Sequence, residues 1–114
     1  MTYQEINQLV ESLGLPYAYY SFPEEQAPEL PFIVFYYPNY DDLGADNINY
    51  QKIAELDIEL YTANKDIELE QQIEQVLTAN DLFFVKSQTY IKQEQMYEVL
   101  YEIEIVINEG VNNG

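Results

Sequence analysis

Residues 51–62 (QKIAELDIELYT) alternate strictly: Ala54, Leu56, Ile58 and Leu60 are apolar, and Glu55, Asp57 and Glu59 between them are acidic. Successive side chains on a strand point to opposite faces of a sheet, so this spacing predicts a strand with one buried and one anionic face. A helix would scatter the same residues around its circumference. Residues 97–107 repeat the scheme, with Tyr97, Val99, Tyr101, Ile103, Ile105 and Ile107 on one side. Glu98, Glu102 and Glu104 stand on the other, interrupted by Leu100 and Val106. Two such strands imply a sheet with one face on a core and the other wet or turned to a partner.

The remaining segments supply the cover. Thr2 and Glu5 have the spacing of a capping box, and Ile6, Leu9, Val10 and Leu13 follow on one helical face. Gly14 and Pro16 then stop a helix over residues 3–13. Residues 17–22 (YAYYSF) are rich in strand formers. Residues 23–31 hold three prolines and favour an extended, semi-rigid connection. Residues 32–37 (FIVFYY) form a continuous apolar run of strand length ended by Pro38, which reads as a central strand. Tyr36 and Tyr37 fit either the core or a contact surface. Residues 39–50 lack periodicity and are expected to form a long loop.

After the strand at 51–62, Asn64 caps a second helix over 65–79, with Leu69, Ile73, Val76 and Leu77 inward and Asn80 as a left-handed stop. Glu68, Glu70 and Glu74 lie off that stripe and are expected in solvent. Residues 82–91 form a strand, 92–95 a tight turn, and 96–107 the last strand. The expected fold class is α+β: a mostly antiparallel sheet with two helices on one face, in the order α-β-β-β-α-β-β. Residues 1–107 make a single domain and 108–114 a flexible tail.

Composition removes much chemistry from this frame. The 114 residues suit one modest core. No run approaches the apolar length that spans a bilayer, and the N-terminus lacks a signal-peptide pattern, so synthesis in the cytoplasm is expected and no membrane partner. There is no cysteine and no histidine, which removes disulfides, thiolate chemistry, zinc–thiolate sites and the commonest general base. No phosphate-binding glycine loop occurs. A carboxylate pair remains as a catalytic option, but none stands out among 21 acidic residues, so no enzyme, cofactor or metal site is expected. The basic residues are four lysines, and the net charge is −17. A chain without arginine is a poor binder of phosphates, so sequence-specific DNA binding is not expected. The charge serves solubility or a functional negative field.

Two irregular stretches are candidate interaction elements: the proline-rich one (Pro23, Glu24, Pro28, Pro31) and the acidic one (Tyr40, Asp41, Asp42, Asp46, Tyr50). The acidic stretch does not match the ligand spacing of an EF-hand calcium loop.

Several short strings together resemble a known family. They are Leu15-Pro16, Tyr20-Ser21-Phe22-Pro23-Glu24, the run from Ala27-Pro28-Glu29-Leu30-Pro31 into Phe32-Ile33-Val34, and Tyr36-Tyr37-Pro38. Downstream are Tyr50-Gln51-Lys52-Ile53, Glu59-Leu60-Tyr61-Thr62, Lys86-Ser87-Gln88-Thr89-Tyr90-Ile91 and Met96-Tyr97-Glu98-Val99-Leu100-Tyr101-Glu102. Over residues 15–107 the chain resembles the small tail terminator, or tail-to-head joining, proteins of siphophages and prophages of Gram-positive bacteria, some of which are labelled minor capsid proteins. The resemblance implies a non-enzymatic virion part at the head-proximal end of the tail. It implies a homo-hexameric ring that stops tail-tube growth and offers the head its docking surface, with the major tail tube protein and a head-completion or neck protein as partners. Acidic faces lining the lumen would keep passing DNA from sticking. Another neck protein of the same virion, or an acidic DNA mimic that blocks a nucleic-acid-binding protein, are the alternatives.

Overall fold

The computed structural model describes residues 1–23, 26–43 and 51–108, and only the backbone of residues 40–43 and 51. Helix α1 (Tyr3–Ser12) leads into strands β1 (Tyr17–Tyr19), β2 (Phe32–Leu43) and β3 (Gln51–Thr62). Helix α2 (Ile67–Ala79) and strands β4 (Phe84–Ile91) and β5 (Met96–Ile107) follow. The element order is the expected one. The sheet order is β1-β2-β3-β5-β4, antiparallel except for the parallel β1–β2 pair.

Alternation decides which face each side chain takes. Ile33 and Phe35 on β2, Ala54, Leu56, Ile58 and Leu60 on β3, and Val99, Tyr101, Ile103, Ile105 and Ile107 on β5 are buried in one cluster. Ile6, Leu9 and Val10 of α1 and Ile73 and Leu77 of α2 complete that cluster, so both helices cover the same sheet face. The capping box of α1 is present, with Thr2 Oγ1 accepting from the Glu5 amide at 3.1 Å and the Glu5 carboxylate accepting from the Thr2 amide at 2.9 Å. Gly14 takes φ +80°, the left-handed geometry expected of a helix-stopping glycine.

Several local expectations are corrected. Residues 39–43 are not loop: β2 continues past Pro38 to Leu43, paired with Gln51 to Glu55 of β3. Proline cannot donate to a ladder, and the register is irregular between Tyr36 and Asn39 as a result. β1 is only three residues long, because Tyr20 turns to φ 76° and leaves the strand. α2 starts at Ile67, capped by the Asp66 side chain on the Leu69 amide at 3.0 Å, rather than by Asn64. Its left-handed exit residue is Asp81 (φ 60°), one beyond Asn80. β4 begins at Phe84 rather than at residue 82, since Leu82 is still hydrogen-bonded to the Leu77 carbonyl at 2.9 Å.

Glu70 is the largest departure. Expected in solvent, it is 1% exposed. Lys65 Nζ lies 2.6 Å from Glu70 Oε2, and Lys86 Nζ lies 2.8 Å from Oε1 and 2.6 Å from Glu74 Oε2. Tyr101, fully buried on β5, donates its hydroxyl to Glu74 Oε2 at 2.9 Å. Burial works against the Glu70 charge, but the two lysines outweigh it and hold its pKa below the ordinary carboxylate range. This cluster ties α2 to β4 and β5 and engages two of the four lysines.

Candidate functional site

The sheet face away from the helices is covered by no helix or strand among the described residues; only Tyr20 and Phe22 of the β1–β2 connection pack on it, against Tyr36 and Phe32. Its side chains are the ones that alternate against the core: Phe32, Val34 and Tyr36 on β2, Glu55, Asp57, Glu59 and Tyr61 on β3, and Glu98, Leu100, Glu102 and Glu104 on β5. Antiparallel register fixes their neighbours. Asp57 faces Glu102, Glu55 faces Glu104, and Tyr61 faces Glu98. Like charges placed directly opposite each other on paired strands repel. The anionic face expected from the alternation is therefore a carboxylate ladder along the centre of the sheet.

The ladder is anchored at one end and unsatisfied in the middle. Tyr61 donates its hydroxyl toward Glu59 Oε1 at 2.8 Å and stands 3.1 Å from Glu98 Oε2. Tyr36 donates to Glu59 Oε2 at 3.2 Å. Burial and the neighbouring carboxylates, Glu59 first, push the Tyr36 phenol up to about 12, and the Tyr61 phenol is also raised, so both remain donors. Burial raises Glu59 as well, though the tyrosine hydrogen bonds partly offset it.

No tyrosine hydroxyl serves Asp57 among the described residues. Asp57 is 5% exposed, and its Oδ1 is buried without a hydrogen-bond partner among the described residues. One carboxylate oxygen each of Glu55, Asp57 and Glu102 lies within 4.8 Å of the others. Burial, a side-chain hydrogen bond with Glu55 and the charges of Glu55, Glu102 and Glu59 push Asp57 up to about 7. Asn39 Nδ2 donates to Glu55 Oε1 at 3.3 Å.

The candidate residues that are described fall at two ends of β2. Pro23 is exposed and Pro28 and Pro31 are half-buried in the β1–β2 connection, where Phe22 packs edge-on against Phe32 at 5.2 Å. Tyr40, Asp41 and Asp42 are strand residues near the far end of β2, and their side chains are not described. At 3.2–3.4 Å per residue, Pro31 and Asp41 are roughly 30 Å apart, so the structure does not bring the two stretches together. Glu24, Asp46 and Tyr50 lie outside the described residues. The acidic trio was not singled out by sequence reasoning, although alternation placed all three residues on the anionic face. Only the β3–β5 register, a long-range property, joins Asp57 to Glu102.

No helix among the described residues is long and apolar enough to cross a membrane. No protein-family model matches the chain. No curated protein matches it either. Among solved structures, a chain of the assembly described as "Virion of native gene transfer agent (GTA) particle" is similar over 91% of this chain and 90% of its own length, at 12% identity and a TM-score of 0.49.

Proposed function

We propose that the chain is a structural protein of a phage-like virion, without catalytic activity, that closes the head-proximal end of the tail tube as a homo-hexameric ring. Its partners in that reading are the major tail tube protein below and a head-completion or neck protein above. The observation that carries the proposal is the separation of the described candidate residues, Pro28 and Pro31 at one end of β2 and Tyr40, Asp41 and Asp42 near the other. A closed ring is built from heterologous contacts, which need two different surfaces on one subunit, set apart from each other. The sequence resemblance to tail terminators supports the same reading. The acidic sheet face then serves as a surface that DNA does not adhere to, with the lumen as its natural place.

Electron microscopy of particles from a phage or induced prophage lacking this gene tests the role. Tail tubes of uncontrolled length beside unattached heads are expected. Tails of normal length that fail to join heads would transfer the protein to another position in the neck. Normal virions would overturn both.

The carboxylate ladder favours one second reading, a DNA mimic that occupies a basic site on a nucleic-acid-binding protein. Such binding weakens steeply as salt rises. Association of these like-charged subunits is instead helped by salt, so sedimentation across a salt series separates the two.

A further inference from the structure

Asp57 presents an unusual demand. A carboxyl oxygen nine-tenths or more withdrawn from water ordinarily takes a hydrogen bond, because leaving it bare costs the desolvation of a polar group. Asp57 Oδ1 has no hydrogen-bond partner among the described residues, and the side chain sits on the face where β3 and β5 set carboxylates against each other. Glu55, two residues along the same strand, and Glu102, directly across, contribute oxygens to a cluster whose members lie within 4.8 Å of one another. Nothing in the core requires this grouping: replacing any of the three with a neutral polar residue would relieve repulsion.

We propose that Glu55, Asp57 and Glu102 bind a divalent cation of the size of Ca²⁺ on the open face of the sheet. Hard divalent cations take carboxylate oxygens, and Ca²⁺ accepts irregular sets of them at about 2.3–2.6 Å, completing its shell with water. Two oxygens on one Ca²⁺ can stand up to about twice that bond length apart, which the cluster's spread satisfies with little movement. Mg²⁺ requires about 2.0–2.1 Å and near-octahedral order, so it would need all three side chains to close in. Glu55 and Glu102 are half-buried rather than sealed, which leaves a route for the ion and its waters. The ion supplies the positive charge that the opposed Asp57–Glu102 pair lacks. This site is independent of the virion reading.

Isothermal titration with CaCl₂ alone, and separately MgCl₂, on the chelator-stripped 114-residue chain at about 0.15 M KCl tests the proposal. One saturable Ca²⁺ site is expected, at least tenfold tighter than Mg²⁺, with a thermal midpoint that rises as Ca²⁺ is added. Asp57→Asn and, on the partner strand, Glu102→Gln should each weaken Ca²⁺ binding tenfold or more. Glu98→Gln removes the same charge from the same face outside the trio and should leave affinity within about twofold. Circular dichroism and melting in chelator establish that each variant is folded, and either trio variant suffices. No saturable heat, or equal losses in the trio variants and Glu98→Gln, would overturn the site and leave only diffuse counterion accumulation.

Discussion

Asp57 and Glu102 stand directly opposite each other on β3 and β5, so two carboxylates meet side by side in the middle of the sheet with a third, Glu55, alongside. Strand pairs of this kind are normally set with opposite charges or with apolar groups, and like charges in that position destabilise by up to about 1 kcal/mol. In chelator, Asp57→Asn and Glu102→Gln are each expected to raise stability by about 0.2–1 kcal/mol in urea denaturation. The double variant should gain less than the sum, because each change relieves the same repulsion. A loss of stability in both single variants would show that the pair is held by something other than tolerated repulsion.

The Glu70 cluster makes the opposite prediction. Its lysines are about one-third exposed, at 31% and 35% of their side chains, while the Glu70 side chain is 2% exposed. Removing the carboxylate frees the lysines to swing into water; removing the lysines strands a buried charge. Lys65→Met with Lys86→Met should therefore destabilise strongly, approaching the roughly 3–5 kcal/mol typical of a broken buried pair. Glu70→Leu alone should cost clearly less. Adding Glu70→Leu to the lysine double variant should recover part of the loss, and urea midpoints of the variants check the order.

The pH dependence follows from the same cluster. Glu70 titrates lower in the folded chain than in the unfolded one, so its contribution is fully present above the unfolded value of about 4.3. It disappears as pH falls through the folded value. Burial works against the Lys86 charge, but its hydrogen bonds to Glu70 and Glu74 and their charges outweigh it and raise Lys86 from its ordinary 10.5. Its contribution is present below the unfolded value and is lost as pH rises through the folded one. The stability difference between the native chain and Glu70→Gln should hold level from about pH 5.5 to 9 and narrow below about pH 4.5. Narrowing that begins at pH 6 would contradict the assigned direction of the Glu70 shift.

How far the sequence disclosed this arrangement depends on how local each cause was. The strands at 51–62 and 96–107 were readable because their alternation is a local signal that the sheet then obeys. The first helix was readable because its capping box and its glycine stop lie within a few residues of its ends. Glu70 was misread because a helical stripe considers only the helix, whereas its partners come from Lys65, before α2, and Lys86 on β4. β2 was ended too early at Pro38 because one missing donor looks final in sequence, while β3 supplies enough ladder on both sides to carry the strand to Leu43. The candidate site divides the same way. Its anionic face was legible, but the meeting of Asp57 with Glu102 depends on a register between residues 45 positions apart.

Tyr61 gives the last prediction, because its hydroxyl is what separates the tolerated end of the ladder from the unsatisfied middle. It lies 2.8 Å from Glu59 Oε1 and 3.1 Å from Glu98 Oε2, joining carboxylates on β3 and β5. A hydrogen bond to a charged acceptor contributes about 1.5–3 kcal/mol, and the partly buried setting puts Tyr61→Phe toward the lower end of that range. The ring remains, so its contact with Phe32 at 5.3 Å should persist and the loss should report the hydroxyl alone. Neutralising Glu98 in the same chain should reduce that loss, since one of the two charges the hydroxyl serves is then absent. Thermal denaturation of Tyr61→Phe, Glu98→Gln and the pair completes the cycle. Strict additivity would mean that the hydroxyl does not couple the two strands through Glu98.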